Sequence, residues 1–230
     1  MPKKYLFPVI HVLNLEQAAE NCQVAIDSGC DGAFLINHES ETGIREITFF
    51  ELLIIHQQMA NLFPDFWLGV NCLDLPAAEV FQHLSSNVAG VWVDNAEVDE
   101  RLEHQLAAEN ILTAKAQSRW SGLYFGGVAF KYQRPVVYSG LAAAIAKNYV
   151  DVVTTSGAAT GESASVEKIR DMKQAIAPTP LAIASGITAA NVPDYLPWVD
   201  YFLVATGISR DFYTLDSQKT KQLAQIIHNF

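Results

Sequence analysis

Residues able to move protons recur in this chain just after short, β-branched apolar runs. His11 stands near the end of the first run, Leu6 to Val12. An imidazole there can serve as acid or base near neutral pH, or rest half-buried against backbone. Asn37-His38-Glu39 follow the run Gly32 to Ile36, where Asn37 can orient a hydroxyl and Glu39 can take a proton; the alternative is a solvated loop. Asn71 follows Trp67 to Val70 as a polar lining group. Asp94-Asn95 follow Gly90 to Val93, and a carboxylate fixed there can act as general base or bind a ribose hydroxyl, or instead form an Asx turn or helix cap. Lys131, beside a candidate strand in Gly122 to Phe130, can donate a proton, form a Schiff base, or act as a phosphate counter-charge. We assign proton transfer to Asp94, Lys131 and His11, and substrate contacts to Asn37, Glu39, Asn71 and Arg210. His38, Glu39 and Asp94 are conceivable metal ligands, but sequence neighbours rarely share a metal and no H-x-H or H-E-x-x-H spacing occurs. No tightly bound metal and no cofactor are expected.

Three later loops offer a second chemistry. They read Ser156-Gly157-Ala158-Ala159-Thr160-Gly161, Ser185-Gly186-Ile187-Thr188 and Ala205-Thr206-Gly207-Ile208-Ser209-Arg210. Small residues let a backbone approach an anion, and N–H groups at the positive end of a helix dipole supply the attraction. Glycine after a strand is also plain turn chemistry. The grouping of three such loops predicts phosphate contacts from Ser156, Gly157, Thr160, Gly161, Ser185, Gly186, Thr206 and Gly207. Arg210 can cover that phosphate or pair with Asp211.

These groups meet only if the elements between them bring the strand ends to one place. After the early runs come Val150 to Thr155, Leu181 to Ala184 and Tyr201 to Ala205, and each run is followed by apolar residues at three- and four-residue spacing. Leu15, Ala18, Ala19, Cys22, Ala25 and Ile26 form the first such stripe, ending at Ser28-Gly29. Thr48 is placed to cap a helix carrying Phe50 and Leu53, another helix runs from about Pro76 to Leu84, and a fourth carries Leu102, Leu106 and Ala107. The fifth unit is the least regular, with a Gly126-Gly127 pair and a long polar loop reaching Ser139. Eight rounds in 230 residues average about 29 each, near the ~30 residues of a βαβ block. The spacing therefore predicts an α/β fold, one (β/α)8 TIM barrel domain over residues 1–230. An open doubly wound sheet is disfavoured because no G-x-G-x-x-G follows an early strand. In a barrel the loops after the strands share one face, which gathers every candidate named above.

Composition sets further bounds. The 15 Lys and Arg against 25 Asp and Glu give a net charge of −10, so no broad basic field exists to collect nucleic acid or anionic membrane. A phosphate held by backbone amides remains compatible, because the surface field is screened over ~8–10 Å. Cys22, Cys30 and Cys72 lack metal or disulfide-framework spacing. Pro8 and His11 interrupt the first apolar run and no segment approaches ~18 apolar residues, so secretion and membrane insertion are poor readings and a cytoplasmic location is expected. Trp67, Trp92, Trp120 and Trp198 read as core or rim residues.

Val9-Ile10-His11, Gly69-Val70-Asn71, Ser156-Gly157 with Thr160-Gly161, Ser185-Gly186-Ile187-Thr188 with Asn191-Val192, and Val204-Ala205-Thr206-Gly207 together resemble the BtpA/SgcQ family. The similarity runs along most of the chain and is strongest from Asp151 to Asp211. It implies a phosphate-binding TIM barrel akin to ribulose-phosphate-binding barrels such as phosphoribosylanthranilate isomerase and the histidine-pathway isomerases. The chain departs from the family pattern after His11, where Val12-Leu13-Asn14-Leu15 is short, and at Val128-Ala129-Phe130-Lys131-Tyr132, which keeps the lysine of a Val-Lys-His motif and loses the histidine. The first strand also ends without the cysteine that serves as general base in phosphoribosylanthranilate isomerase.

The expected activity is binding of a small phosphorylated, sugar- or nucleotide-derived metabolite, with isomerase- or lyase-like proton transfer. One alternative is a non-catalytic assembly or regulatory factor, since the family includes a protein implicated in photosystem I biogenesis; a weaker one is phosphoribosyltransferase-like activity. Pairing into a homo-oligomer is compatible with such barrels.

Overall fold

The computed structural model describes residues 3–37 and 47–230; the candidates His38 and Glu39 lie outside the described residues. Eight parallel strands close into a barrel in sequence order, β1 pairing with both β2 and β8. The strands are β1 (Tyr5–His11), β2 (Gly32–Ile36), β3 (Trp67–Asn71), β4 (Gly90–Val93), β5 (Leu123–Gly127), β6 (Val152–Ser156), β7 (Leu181–Ala184) and β8 (Tyr201–Val204). The helices are α1 (Leu15–Asp27), α2 (Phe49–Leu62), α3 (Ala77–Val80), α4 (Leu106–Ser118), α5 (Ser139–Ala146), α6 (Val166–Ile176), α7 (Val192–Tyr195) and α8 (Ser217–His228). Among the described residues, no helix is long and apolar enough to cross a membrane.

Local chemistry explains most boundaries. Thr48 caps α2 in a reciprocal capping box with Glu51, as its position in the sequence suggests. Leu102 was expected in the fourth helix, yet that helix begins at Leu106. Asp99 accounts for the difference: its carboxylate accepts from the Arg101 backbone N–H at 3.0 Å and its carbonyl accepts from Gln105 at 2.8 Å, which turns the chain before the helix starts. The helix expected from Pro76 to Leu84 is one α-helical turn continued by a 3-10 turn, Phe81–His83. A small antiparallel hairpin, β9 (Ser209–Asp211) with β10 (Thr214–Leu215), stands between β8 and α8 where only a loop was expected.

Strand residues alternate between two cores. Outward side chains pack beneath the helices, while Phe7, Val9, Phe34, Ile36, Trp92, Phe125 and Leu203 fill the barrel, with Tyr5, Trp67 and Tyr201 packed against them. This filling is unusually aromatic, and glycines on neighbouring strands make room for it. A Cβ at Gly69 would lie 2.6 Å from the Phe34 ring, and one at Gly90 2.5 Å from the Trp67 ring. The Phe7 and Trp67 rings stack with centroids 4.5 Å apart. Each fully buried aromatic is worth about 2–3 kcal/mol of transfer free energy. The aromatic plug fills the lower barrel, and the two-residue period then decides what stands above it. It carries His11 above Phe7 and Val9, Asn71 above Trp67 and Gly69, Asp94 above Gly90 and Trp92, and Ser156 above Val152 and Thr154.

Candidate functional site at the strand ends

On β3 and β4, Asn71 pairs in register with Trp92, so both side chains enter the barrel side by side. The Asn71 Nδ2 donates to Asp94 Oδ1 at 3.3 Å. Asn71 is wholly buried, and among the described residues its Oδ1 meets no hydrogen-bond donor; the Nε1 of the buried Trp92 likewise meets no acceptor among them. Two adjacent strands thus present an unmet acceptor and an unmet donor beside a carboxylate. Asp94 is fixed through its backbone: Gln133 donates to its carbonyl at 2.6 Å, and a Cβ at Gly127 would fall 1.9 Å from that same oxygen. Gly127 is therefore required by the close approach of β4 and β5.

The loop after β5 leans on the loop after β6. The Lys131 N–H donates to Ser156 Oγ at 2.7 Å and its Nζ to Thr160 Oγ1 at 3.3 Å, while the Tyr132 hydroxyl accepts from the Thr160 N–H at 3.2 Å. The structure thus brings Lys131, Ser156 and Thr160 together. Ala129 takes a left-handed conformation, φ 49°, and its carbonyl accepts from Thr155 Oγ1 at 3.2 Å and from Lys168 Nζ at 2.6 Å.

In the three late loops Gly157 packs within its own loop, while Gly186 and Gly207 pack against the preceding loop. A Cβ at Gly157 would lie 2.2 Å from the Glu162 carbonyl, one at Gly186 2.1 Å from the Ser163 nitrogen, and one at Gly207 1.9 Å from the Ile187 carbonyl. The loops after β6, β7 and β8 are consequently pressed backbone to backbone. Ser185 and Gly186 both lie in the left-handed region, at φ 75° and 70°. Asn191 locks this turn, accepting from the Thr188 N–H at 2.8 Å and donating to the Gly186 carbonyl at 2.8 Å. Gly161 differs: at φ 81° it supplies a turn, with open space where its Cβ would be.

His11 stands on β1, four strands around the barrel from β5. Its ring stacks on Phe212 with centroids 4.1 Å apart, and its Nδ1 lies 3.0 Å from the Phe212 carbonyl. A carbonyl only accepts, so Nδ1 carries a proton and in the neutral ring Nε2 is the basic atom. Arg210 is exposed on β9 and reaches the Leu215 carbonyl at 3.5 Å; no ion pair joins it to Asp211 among the described residues. Asn37 is out of phase with the inward Phe34 and Ile36. Its amide donates to Asp74 at 2.6 Å and its Oδ1 accepts from the Leu73 N–H at 3.2 Å, which ties the β2 and β3 ends together. Among the described residues no three His, Cys, Asp or Glu side chains form a metal-ligand set.

The sequence assigns no role to Gln133, Phe212 or Lys168, and singles out Asn191 only through the resemblance. For Lys168 a signal existed. It is the third residue of α6 after the cap Ser165, a first-turn position where the helix dipole favours a carboxylate over a cation.

Comparison with known proteins accords with this geometry. The model of the BtpA family matches residues 13–229. An uncharacterized protein of Thermococcus kodakarensis is 36% identical over 67 residues, which cover 29% of this chain and a quarter of that protein's length. Among solved structures, phosphoribosyl anthranilate isomerase from Thermus thermophilus superposes with a TM-score of 0.65 at 14% identity, over 96% of each chain. Thiamine phosphate pyrophosphorylase from Pyrococcus furiosus gives 0.65 at 16% identity, covering 98% of this chain and 96% of its own. The tryptophan synthase alpha subunit from Legionella pneumophila gives 0.68 at 12% identity, over 99% and 94%. These likenesses establish the shared TIM-barrel fold.

Proposed function

The chain belongs to the BtpA family, and from that membership we propose that its barrel binds a small phosphorylated, sugar- or nucleotide-derived metabolite and moves a proton on it. The observation that carries this reading is the buried, partnerless Asn71 Oδ1 beside Asp94. A buried acceptor without a donor costs about 1–3 kcal/mol, a cost that a ligand hydroxyl or amide would offset. The unmet Trp92 Nε1 next to it supplies the matching donor.

The strand order supports one orientation for such a ligand. The loops after β7 and β8 stand four strands from β3 and β4. A metabolite lying across the mouth would have its phosphate against Ser185, Gly186, Thr206 and Gly207, with Ser156, Gly157, Thr160 and Gly161 alongside. Its other end would meet Asn71, Trp92 and Asp94. Asp94 acts as general base there, and Lys131 and His11, from opposite sides of the mouth, exchange protons with the substrate oxygens. Two of the structural neighbours bear phosphorylated compounds in their names, which agrees with this substrate class.

Crystals soaked in ribose 5-phosphate test the reading. The expected result is phosphate density against Gly186 and Gly207 with the sugar turned toward Asn71. Density confined to the outer surface, or no binding at millimolar ligand by calorimetry, would overturn it.

A further inference from the structure

Several buried or half-buried lysines in this barrel meet a carboxylate. Lys4 and Lys173 reach Asp200 at 3.5 and 2.6 Å, and Lys115 reaches Asp151. Lys168 meets none among the described residues. Its Nζ donates instead to two backbone carbonyls, Ala129 at 2.6 Å and Ser156 at 2.7 Å. The same residue lines a cleft of about 650 Å³ between the β5–α5 and β6–α6 loops, bounded also by Phe130, Gly157, Ser163 and the charged Glu162 and Arg134. Arg134 is already occupied, its guanidinium pairing with Glu100 at 2.5 Å and Asp99 at 3.2 Å. Burial pushes the Lys168 amine down to about 8, with no neighbouring charge opposing that shift.

Geometry decides what the neutral amine can do. A tetrahedral nitrogen that gives both N–H groups to fixed carbonyls keeps its lone pair in the one remaining direction. We infer that Lys168 is a nucleophilic amine that condenses with a small aldehyde or ketone entering this cleft. The ammonium first releases a proton to solvent. The nitrogen lone pair then forms a C–N bond to the carbonyl carbon, the C=O π pair moves to oxygen, and a proton passes from the now cationic nitrogen to that oxygen to give the neutral carbinolamine. Loss of water leaves an imine, and no oxidant or reductant takes part. A protonated imine retains one N–H, so one of the two backbone carbonyls is released and the loops after β5 and β6 loosen where they meet. The cleft shares Ser156 and Gly157 with the proposed phosphate site, but the Lys168 chemistry requires no phosphate there, so its test can fail while phosphate binding holds, and the reverse.

The experiment is reductive methylation of the full chain with limiting formaldehyde and cyanoborohydride from pH 6.5 to 10, followed by peptide mapping. At pH 8 Lys168 is expected to react at least about tenfold faster than the exposed Lys219 and Lys221, because burial keeps a large share of it neutral. Its rate should level off above pH 8. Lys168 reacting no faster than those two, or tracking their pH profile, overturns the inference. The wild-type protein decides the matter alone. Lys168→Gln, where it folds, should abolish the fast phase, and a fast phase that survives in it overturns the assignment to Lys168.

Discussion

The side-chain amide of Asn71 donates to Asp94 at 3.3 Å while its own carbonyl oxygen, wholly buried, meets no donor. Replacing this residue with an apolar one of similar size removes an unmet acceptor as well as one hydrogen bond. The two changes nearly cancel, since the unmet group costs about 1–3 kcal/mol and a typical hydrogen bond contributes about 1. Asn71→Leu is therefore expected to leave stability within about 1 kcal/mol of wild type or raise it, while weakening binding of ribose 5-phosphate. Denaturant melts and calorimetry check both halves. A loss of 3 kcal/mol or more would mean that Asn71 holds the fold and that the site lies elsewhere.

The late glycines separate into two mechanical classes. Gly186→Ala and Gly207→Ala drive a methyl to 2.1 and 1.9 Å from backbone atoms of the adjacent loop, so both should cost more than about 2 kcal/mol. Gly161→Ala meets open space and carries only left-handed strain, about 1 kcal/mol. Equilibrium unfolding of the three variants should show this order. Equal effects would refute the packing account.

Strand ends were legible in the sequence because burial and alternation act residue by residue. The strands Gly32–Ile36, Gly90–Val93 and Leu181–Ala184 have the bounds that their apolar runs suggest, and Asp94 and Asn71 meet as their places after consecutive strands imply. Other features depend on partners far along the chain. Nothing local marks Asn37 as a tie to Asp74, 37 residues away, or the Asp211-Phe212-Tyr213 segment as a cover for His11. Lys168 carries a local mark, a cation in the first turn of α6, but its partners, the Ala129 and Ser156 carbonyls 39 and 12 residues away, are reported by no spacing rule. The sequence points the late glycines toward an anion, whereas Gly186 and Gly207 are required most tightly by the neighbouring loop's backbone and Gly157 by its own loop.

Acid should weaken the fold through His56. This α2 side chain is wholly buried; its Nε2 donates to the Leu68 carbonyl at 3.1 Å and its Nδ1 meets no partner. Burial lowers its pKa below the usual 6.5. Between the lowered folded value and 6.5 the unfolded chain binds the proton and the folded chain does not, so stability falls as pH drops through that window and is flat in this respect above 6.5. Unfolding free energies measured from pH 5 to 8 should show that slope. In His56→Leu the slope should shrink, whatever the absolute stability. An unchanged slope would assign the acid sensitivity to other groups.

The position of His11 depends on α1. Asn21, buried in that helix, donates to the Tyr213 carbonyl at 2.7 Å and accepts from the Leu215 N–H at 2.8 Å, and Gln17 donates to the same Tyr213 carbonyl at 2.7 Å. These bonds hold the β9–β10 hairpin so that Phe212 presents both its ring and its carbonyl to His11. Asn21→Ala would take the Leu215 N–H's side-chain acceptor away and leave the Tyr213 carbonyl with Gln17 alone, and should cost about 1–3 kcal/mol. Phe212→Ala removes a ring already 37% exposed, keeps the backbone carbonyl, and should cost less than about 1 kcal/mol. The His11 ring signals in NMR separate the two effects. Loss of the Phe212 ring should change only the ring-current shift, leaving the Nδ1 proton in place, whereas Asn21→Ala should broaden or remove that proton as the hairpin loosens. A His11 Nδ1 proton that survives unchanged in Asn21→Ala would show that the hairpin is held without Asn21.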